Sequence, residues 1–408
     1  MTSTPPSPFI GAGSPLDARQ QAVVERVSAA EHASIVALPT DHPLDPKRRA
    51  RDEATYPELI AQPDRIRETL AANDQALAEL ASVIAGMDVD RVFVTGAGDS
   101  LAVAIAARQL LETMLGVPCE PVQSLDLAYY LAPLVTPRSV VIALSSSGET
   151  TRTVEAALIA QHAGALTVAI TNTAGSTLDQ ESERTLLLRA TRVGWPTQSS
   201  TTALALLLDL GTRVGVLRHH PEAAALGTEL AEIPDRMAEV IAALEPQLAT
   251  IAEREHDSGT FLFSAAGPSW GSAIIGAAKV KECTPDRAEA TQVEEFHHYN
   301  SLKTGEPIWV IAPAGPSVPR AVHTASEAKR FGGRVVVVTT EGVDAFDAVA
   351  DEVLTLPAVA EPLSPLLTVL PAQLTGYLLA MAQFRAAEAA EAAETALVTT
   401  GAADGRTP

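Results

Sequence analysis

From Arg91 onward the chain alternates short apolar runs with stretches of helical spacing, and that alternation narrows the fold more than any other feature. "RVFVTGAG" is β-rich, and "SLAVAIAARQLLETML" has the apolar period of a helix. "SVVIAL" reads as a strand, "TTRTVEAALIAQHAG" as a helix stopped by Gly164, and "LTVAITN" as a strand. Strand, helix, strand at this spacing builds βαβ units, whose strands run parallel. The strands are apolar almost throughout, as expected of a sheet covered by helices on both faces.

The pattern then recurs. "TFLFSAAGPSWGSAIIGAAKVKE" repeats the period and glycine placement of "RVFVTGAGDSLAVAIAARQLLE". "PIWVIAPAGPSVPRAVHTASEAKRFGGRVVVVTTE" repeats the stretch from Val140 to Asn172, with Ala312 to Gly315 standing where Ser145, Ser146 and Ser147 stood. The offset is about 170 residues, too long for a solenoid repeat and right for a duplicated domain. The expected fold class is therefore α/β, with two tandem doubly wound domains, each a parallel sheet flanked by helices. The expected division is an arm over 1–50, a first domain over 51–218, a helical connector over 219–256, a second domain over 257–388 and a tail over 389–408. The arm is rich in Pro, Ser and Asp, with one short helix expected at Asp17 to Ala30, and reads as partly disordered. Tyr56 to Gly86 reads as one or two helices.

Composition removes some function classes. The chain has 408 residues, with 50 acidic against 29 basic side chains and a formal net charge of −21. No basic stripe is evident, so phosphate neutralisation of a nucleic acid is not expected. An anionic small ligand has to be held by local dipoles, because the overall field repels it. Cys119 and Cys283 make no disulfide framework. The N-terminus lacks the charged and apolar regions of a signal peptide. "TTALALLLDLGTRVGVL" carries Asp209 and Arg213 and is expected to be a buried helix rather than a membrane span. The expected location is cytoplasmic, with no membrane or nucleic-acid partner.

The stretch "SSSGETTRTVEAA" places three hydroxyls and a glycine between a strand and a helix. A helix start leaves backbone N–H groups unpaired and carries partial positive charge, so it can hold a phosphate without a cationic side chain. In open α/β sheets ligands sit at the carboxyl ends of strands. Ser145, Ser146, Ser147 and Thr150 lie at that edge, and Gly148 permits a tight turn. A second edge, "TGAGDS", brings Gly98 and Ser100 to the same side, with Asp99 expected to cap its own helix. A serine alone would read as a cap; three in a row beside a second Gly/Ser turn read as an anion site. The second copy lacks the serines, so the fold does not need them there. No G-K-[ST] follows, and "GAGDSLA" lacks the third glycine of a dinucleotide fingerprint.

This loop resembles the phosphosugar-binding loop of the sugar isomerase (SIS) family, whose form is close to S-x-S-G-x-T-x-[DE]. The resemblance covers most of residues 56–385 as two SIS-like, flavodoxin-like halves. In organisation it is similar to the isomerase part of glucosamine-6-phosphate synthase and to stand-alone phosphosugar deaminases and deglycases. No catalytic Cys precedes the first half, so ammonia channelling from glutamine is not expected. The resemblance implies aldose–ketose chemistry, in which a base shuttles a proton between C1 and C2 and an acid/base opens the ring. It points to Glu282, closing the "KVKE" helix, as base, with Lys279 nearby, and to His298 as ring opener in a segment begun by Glu295. It also implies a homodimer in which His298 reaches the neighbouring subunit's site. From the residues alone, Lys279, Lys281 and Glu282 read better as a solvated helix face, and His297 and His298 could form a surface pair. Neither metal nor cofactor is expected: adjacent histidines point apart and no third ligand has matching spacing.

Three departures stand out. The family's H-G-P is here His298, Tyr299, Asn300. A loop usually close to A-S-T-K is "PTQS", which places Thr197 and Ser199 among the candidate binding residues with serine where lysine would stand. No lysine follows Lys329, so Ala396 or Leu397 takes the position of a tail lysine. A phosphosugar-like ligand with altered headgroup contacts is expected. The alternatives are a non-catalytic phosphosugar sensor and a duplicated scaffold whose catalysis has decayed. A sensor would usually pair one such domain with a basic helix-turn-helix, and none is evident here.

Overall fold

The computed structural model describes residues 10–403 apart from 12, 36–38, 41 and 43. Three helices come first: α1 (Ala18–Ile35), α2 (Pro46–Ile60) and α3 (Gln62–Gly86). The stretch read as an arm thus contains α1 and the start of α2. α1 buries Val24 and Val27, and Arg19 donates to Glu181 at 2.7 Å. Asp45 starts α2 by accepting from the amides of Lys47 and Arg48, with Pro46 in the first turn, where its missing N–H is no loss.

The first half continues with β1 (Arg91–Gly96), α4 (Asp99–Leu115), β2 (Cys119–Gln123), α5 (Ser124–Asp126), β3 (Ser139–Leu144), α6 (Thr151–His162), β4 (Leu166–Thr171), α7 (Thr177–Glu181), β5 (Arg184–Leu187) and α8 (Gln198–Leu217). The long α9 (Ala223–Glu255) connects it to β6 (Thr260–Ala265), α10 (Trp270–Cys283), β7 (Arg287–Gln292), β8 (Pro307–Ile311), α11 (Val318–Arg330), β9 (Arg334–Thr340), β10 (Glu352–Leu356) and α12 (Pro365–Ala403). The sheets run β2-β1-β3-β4-β5 and β10-β9-β8-β6-β7, all parallel. Renumbered within each half, both read 2-1-3-4-5, the doubly wound order that leaves a ligand crevice between the first and third strands.

The central strands match the sequence reading. β2, β5, β7 and β10 do not appear in it, and the reason is physical. β2 ("CEPVQ") and β7 ("RAEATQ") are edge strands of mixed polarity, which present no apolar run to detect. α8 is long and apolar enough to cross a membrane, but 78% of its apolar window is buried inside the protein.

One core runs through both halves, from Val92 and Ile142 to Phe263 and Leu370. Its junction is α4 against α10. Gly271 allows that approach, since a Cβ there would overlap the carbonyl of Ala102. The packing brings the far end of α10 over the start of α4, and so over the carboxyl edge of the first sheet.

Candidate functional site

Four elements meet at that edge. β3 ends at Leu144, and the Ser145 amide carries the pairing on by donating to Ile170 O at 3.1 Å. The chain then turns at Gly148, where φ is 67° and a Cβ would overlap Ser176 Oγ, so only glycine fits. The Gly148 amide donates to Ser145 Oγ at 3.1 Å; Ser145 Oγ lies 2.8 Å from Thr150 Oγ1 and 3.4 Å from Ser147 Oγ. Thr150 occupies the cap position of α6 but makes no side-chain cap bond. Among the described residues the amides of Ser146, Ser147 and Thr150 have no acceptor, and Ser146 Oγ is buried without a partner. Glu149 is tied to α7, accepting from the Thr177 amide and hydroxyl, each at 2.7 Å. The first amide of α6 is not free, however: Thr151 N and Oγ1 both donate to Glu31 of α1. The unpaired amides therefore sit in the turn rather than in the helix behind it.

The second element is the turn after β1, with Gly98 at the cap position of α4. Asp99 does not cap this helix, contrary to the sequence reading. Its carboxylate accepts from Ser200 Oγ at 3.1 Å and pairs with Lys279 Nζ at 2.9 Å, because α10 presents a buried ammonium at that point.

The third element is the loop before α8, which carries Arg192 and Pro196 and leads to Ser199 and Ser200. α2 clamps it. Asp52 accepts from Trp195 Nε1 at 2.7 Å, Thr55 Oγ1 from Trp195 N at 2.8 Å, and Glu58 from Val193 N at 2.7 Å. Arg51 stacks over the Trp195 ring at 3.7 Å.

The fourth element is the end of α10. Lys279 is 1% exposed and donates to Pro196 O at 2.8 Å, to Glu282 and to Asp99. Burial alone would lower its pKa, but the two carboxylates outweigh that and hold it above the ordinary lysine value. Glu282 is raised above the usual carboxylate range. Burial is the main cause; Lys279 opposes it, and Asp99 adds to it.

These elements enclose one cavity. Gly98, Ser100, Ser145, Ser146, Ser147, Thr150, Ser199 and Glu282 line it, as do Asp99, Arg192 and Ser200. Lys279 lies directly behind Glu282. Thr197 is not on the wall: it is buried, with Oγ1 unpartnered. Glu295 and His298 lie outside this cavity, in and just after a short turn following β7. The His298 side chain is 61% exposed and sits 3.4 Å from Glu294. His297 is the inward one, 3.0 Å from Thr324 Oγ1, and burial lowers its pKa. Sequence reasoning missed Arg192, a cation on the wall that no motif announces, and the pairing of Asp99 with Lys279. Among the described residues no cluster of three His, Cys, Asp or Glu is placed to hold a metal ion.

In the second half Glu361 packs against the corresponding turn. A Cβ on Gly315 would lie 2.5 Å from Glu361 Oε1.

Comparison with known proteins agrees with this fold. The SIS domain family model matches residues 87–210. A Thermus thermophilus protein named glutamine–fructose-6-phosphate aminotransferase (isomerizing) is 30% identical over 338 residues, covering 79% of this chain and 55% of that protein. The chain thus spans about half the length of the curated relatives it matches. Among solved structures, the C-terminal domain of glucosamine-fructose-6-phosphate aminotransferase from Francisella tularensis superposes with a TM-score of 0.71 at 23% identity, covering 80% of this chain and 95% of that one. Tagatose-6-phosphate ketose/aldose isomerase from Escherichia coli gives 0.67 at 20% identity, covering 79% and 91%. The two parallel five-stranded sheets are two tandem SIS-type, flavodoxin-like domains. Residues 87–210 of the chain belong to the SIS domain family.

Proposed function

We propose that the chain is a phosphosugar aldose–ketose isomerase, or a deaminase or deglycase working through the same C1/C2 proton transfer. The observation that carries this reading is that a turn with unpaired amides and clustered hydroxyls shares one cavity with a carboxylate of raised pKa. The phosphate accepts from the Ser145, Ser147 and Thr150 hydroxyls and from the amides of Ser146, Ser147 and Thr150. Arg192 supplies a cation that compensates in part for the missing lysines. Glu282 removes the proton from one carbon and returns it to the next; its raised pKa brings it nearer the working pH, where a carboxyl both accepts and donates. The names of the relatives support a sugar 6-phosphate as the substrate class. His298, exposed and outside its own cavity, is available to the site of a second copy, so a homodimer with shared sites is part of the proposal.

The test is exchange in D₂O with a panel of hexose 6-phosphates and amino-sugar phosphates. Deuterium should enter at C1 or C2 with the wild type, and Glu282→Gln should abolish it without abolishing binding. A ligand that binds without any exchange would leave the non-catalytic sensor reading standing in its place.

A further inference from the structure

The proposed chemistry gives Asp99 no role, although it lines the same cavity as Glu282. Its partner is the buried Lys279 ammonium. That group has three hydrogens to donate, and three acceptors take them: Asp99 Oδ2 at 2.9 Å, Pro196 O at 2.8 Å and Glu282 Oε2. One positive charge is therefore divided between two carboxylates. Ser200 Oγ holds the Asp99 oxygen at 3.1 Å, so the division is fixed by a hydroxyl donor as well. The other groups acting on Glu282 are Arg51 from α2 and the Cys283 thiol, with Asp52 behind it. Arg192 lines the same cavity.

We propose that Asp99 is a positioning residue for Glu282: by sharing the Lys279 ammonium it prevents Glu282 from being locked as a fully paired carboxylate, so that Glu282 can both take up and release a proton. The proposal rests on reading Glu282 as the base. A carboxylate fully neutralised by one buried ammonium is a weak base, and a like charge on the same cation restores its hold on a proton. Asp99 acting only as a structural counter-ion would serve Lys279 and leave the titration of Glu282 unchanged.

The experiment uses the full chain labelled with ¹³C at the glutamate carboxyls. The Glu282 resonance is identified by its loss in Glu282→Gln. In Asp99→Asn its titration midpoint should fall by about one pH unit or more, because Lys279 turns wholly to Glu282. In Ser200→Ala it should rise, because Asp99 loses its hydroxyl donor and draws harder on Lys279. General loosening of the cavity would move both variants the same way. The acidic limb of the D₂O exchange rate should follow the midpoint in each variant. An unmoved midpoint in Asp99→Asn overturns the proposal, and Ser200→Ala carries the test alone if that variant does not fold. The carboxyl titration needs no substrate. Shifted midpoints with no exchange by the wild type would therefore count against the isomerase reading and leave the Asp99 coupling intact.

Discussion

Replacing Asp52 with asparagine should remove a pH-dependent weakness from the fold. Asp52 is fully buried, and its Oδ1 accepts from Trp195 Nε1 at 2.7 Å. Its Oδ2 is buried without a hydrogen bond, with the Cys283 thiol as a neighbour. Burial pushes its pKa from an ordinary 3.8 up to about 7; the Trp195 bond, the nearby Cys283 thiol and the charges of Arg48 and Arg51 only partly oppose this. The folded chain therefore holds a proton that the unfolded chain releases between those two values. The associated stability is fully present below about pH 4 and is lost as pH rises through about 7. A shift of about 3 units corresponds to roughly 4 kcal/mol. The asparagine side chain has no proton to lose and keeps an oxygen for Trp195. The assay is urea unfolding of wild type and variant from pH 4.5 to 8.5. Other titrating groups are common to both proteins, so the difference between them isolates this carboxyl. The variant should gain on the wild type by several kcal/mol across the range, with most of the change complete by pH 7.5. A difference that stays flat with pH would refute the reasoning.

Gly148→Ala should cost about 1–2 kcal/mol for its left-handed backbone alone, and more because the methyl displaces Ser176, which caps α7. A thermal melt should show a lowered Tm together with weakened binding of sugar phosphates. Ser145→Ala combined with Ser147→Ala should weaken the tightest hexose 6-phosphate by about a hundredfold or more in calorimetry, at roughly 1.5–3 kcal/mol for each hydrogen bond to the charged group. Unchanged affinity would move the anion site away from this turn.

The legible and the hidden parts of this protein divide along a physical line. The parallel sheets, the duplication and the hydroxyl turn could be read from residues because each depends on neighbours in the chain. An apolar strand buried on both faces writes itself as a run, a helix as a period, and a hydroxyl-lined turn as serines around a glycine. The edge strands were illegible because one side of each faces no partner and their residues need not be apolar. Asp99 was misread for a related reason. At the start of a helix an aspartate is locally a cap, and only the approach of α10, permitted by Gly271, supplies the buried ammonium that turns it away. Arg192 likewise has no motif. It reaches the cavity because Asp52, Thr55 and Glu58 of α2 pin the loop that carries it. What the residues determined by themselves is the scaffold and the hydroxyl turn at the carboxyl edge of its first sheet. What only the tertiary structure decided is how charge is shared inside the cavity, since that depends on side chains from distant segments meeting where water is largely excluded and each unpaired charge is costly.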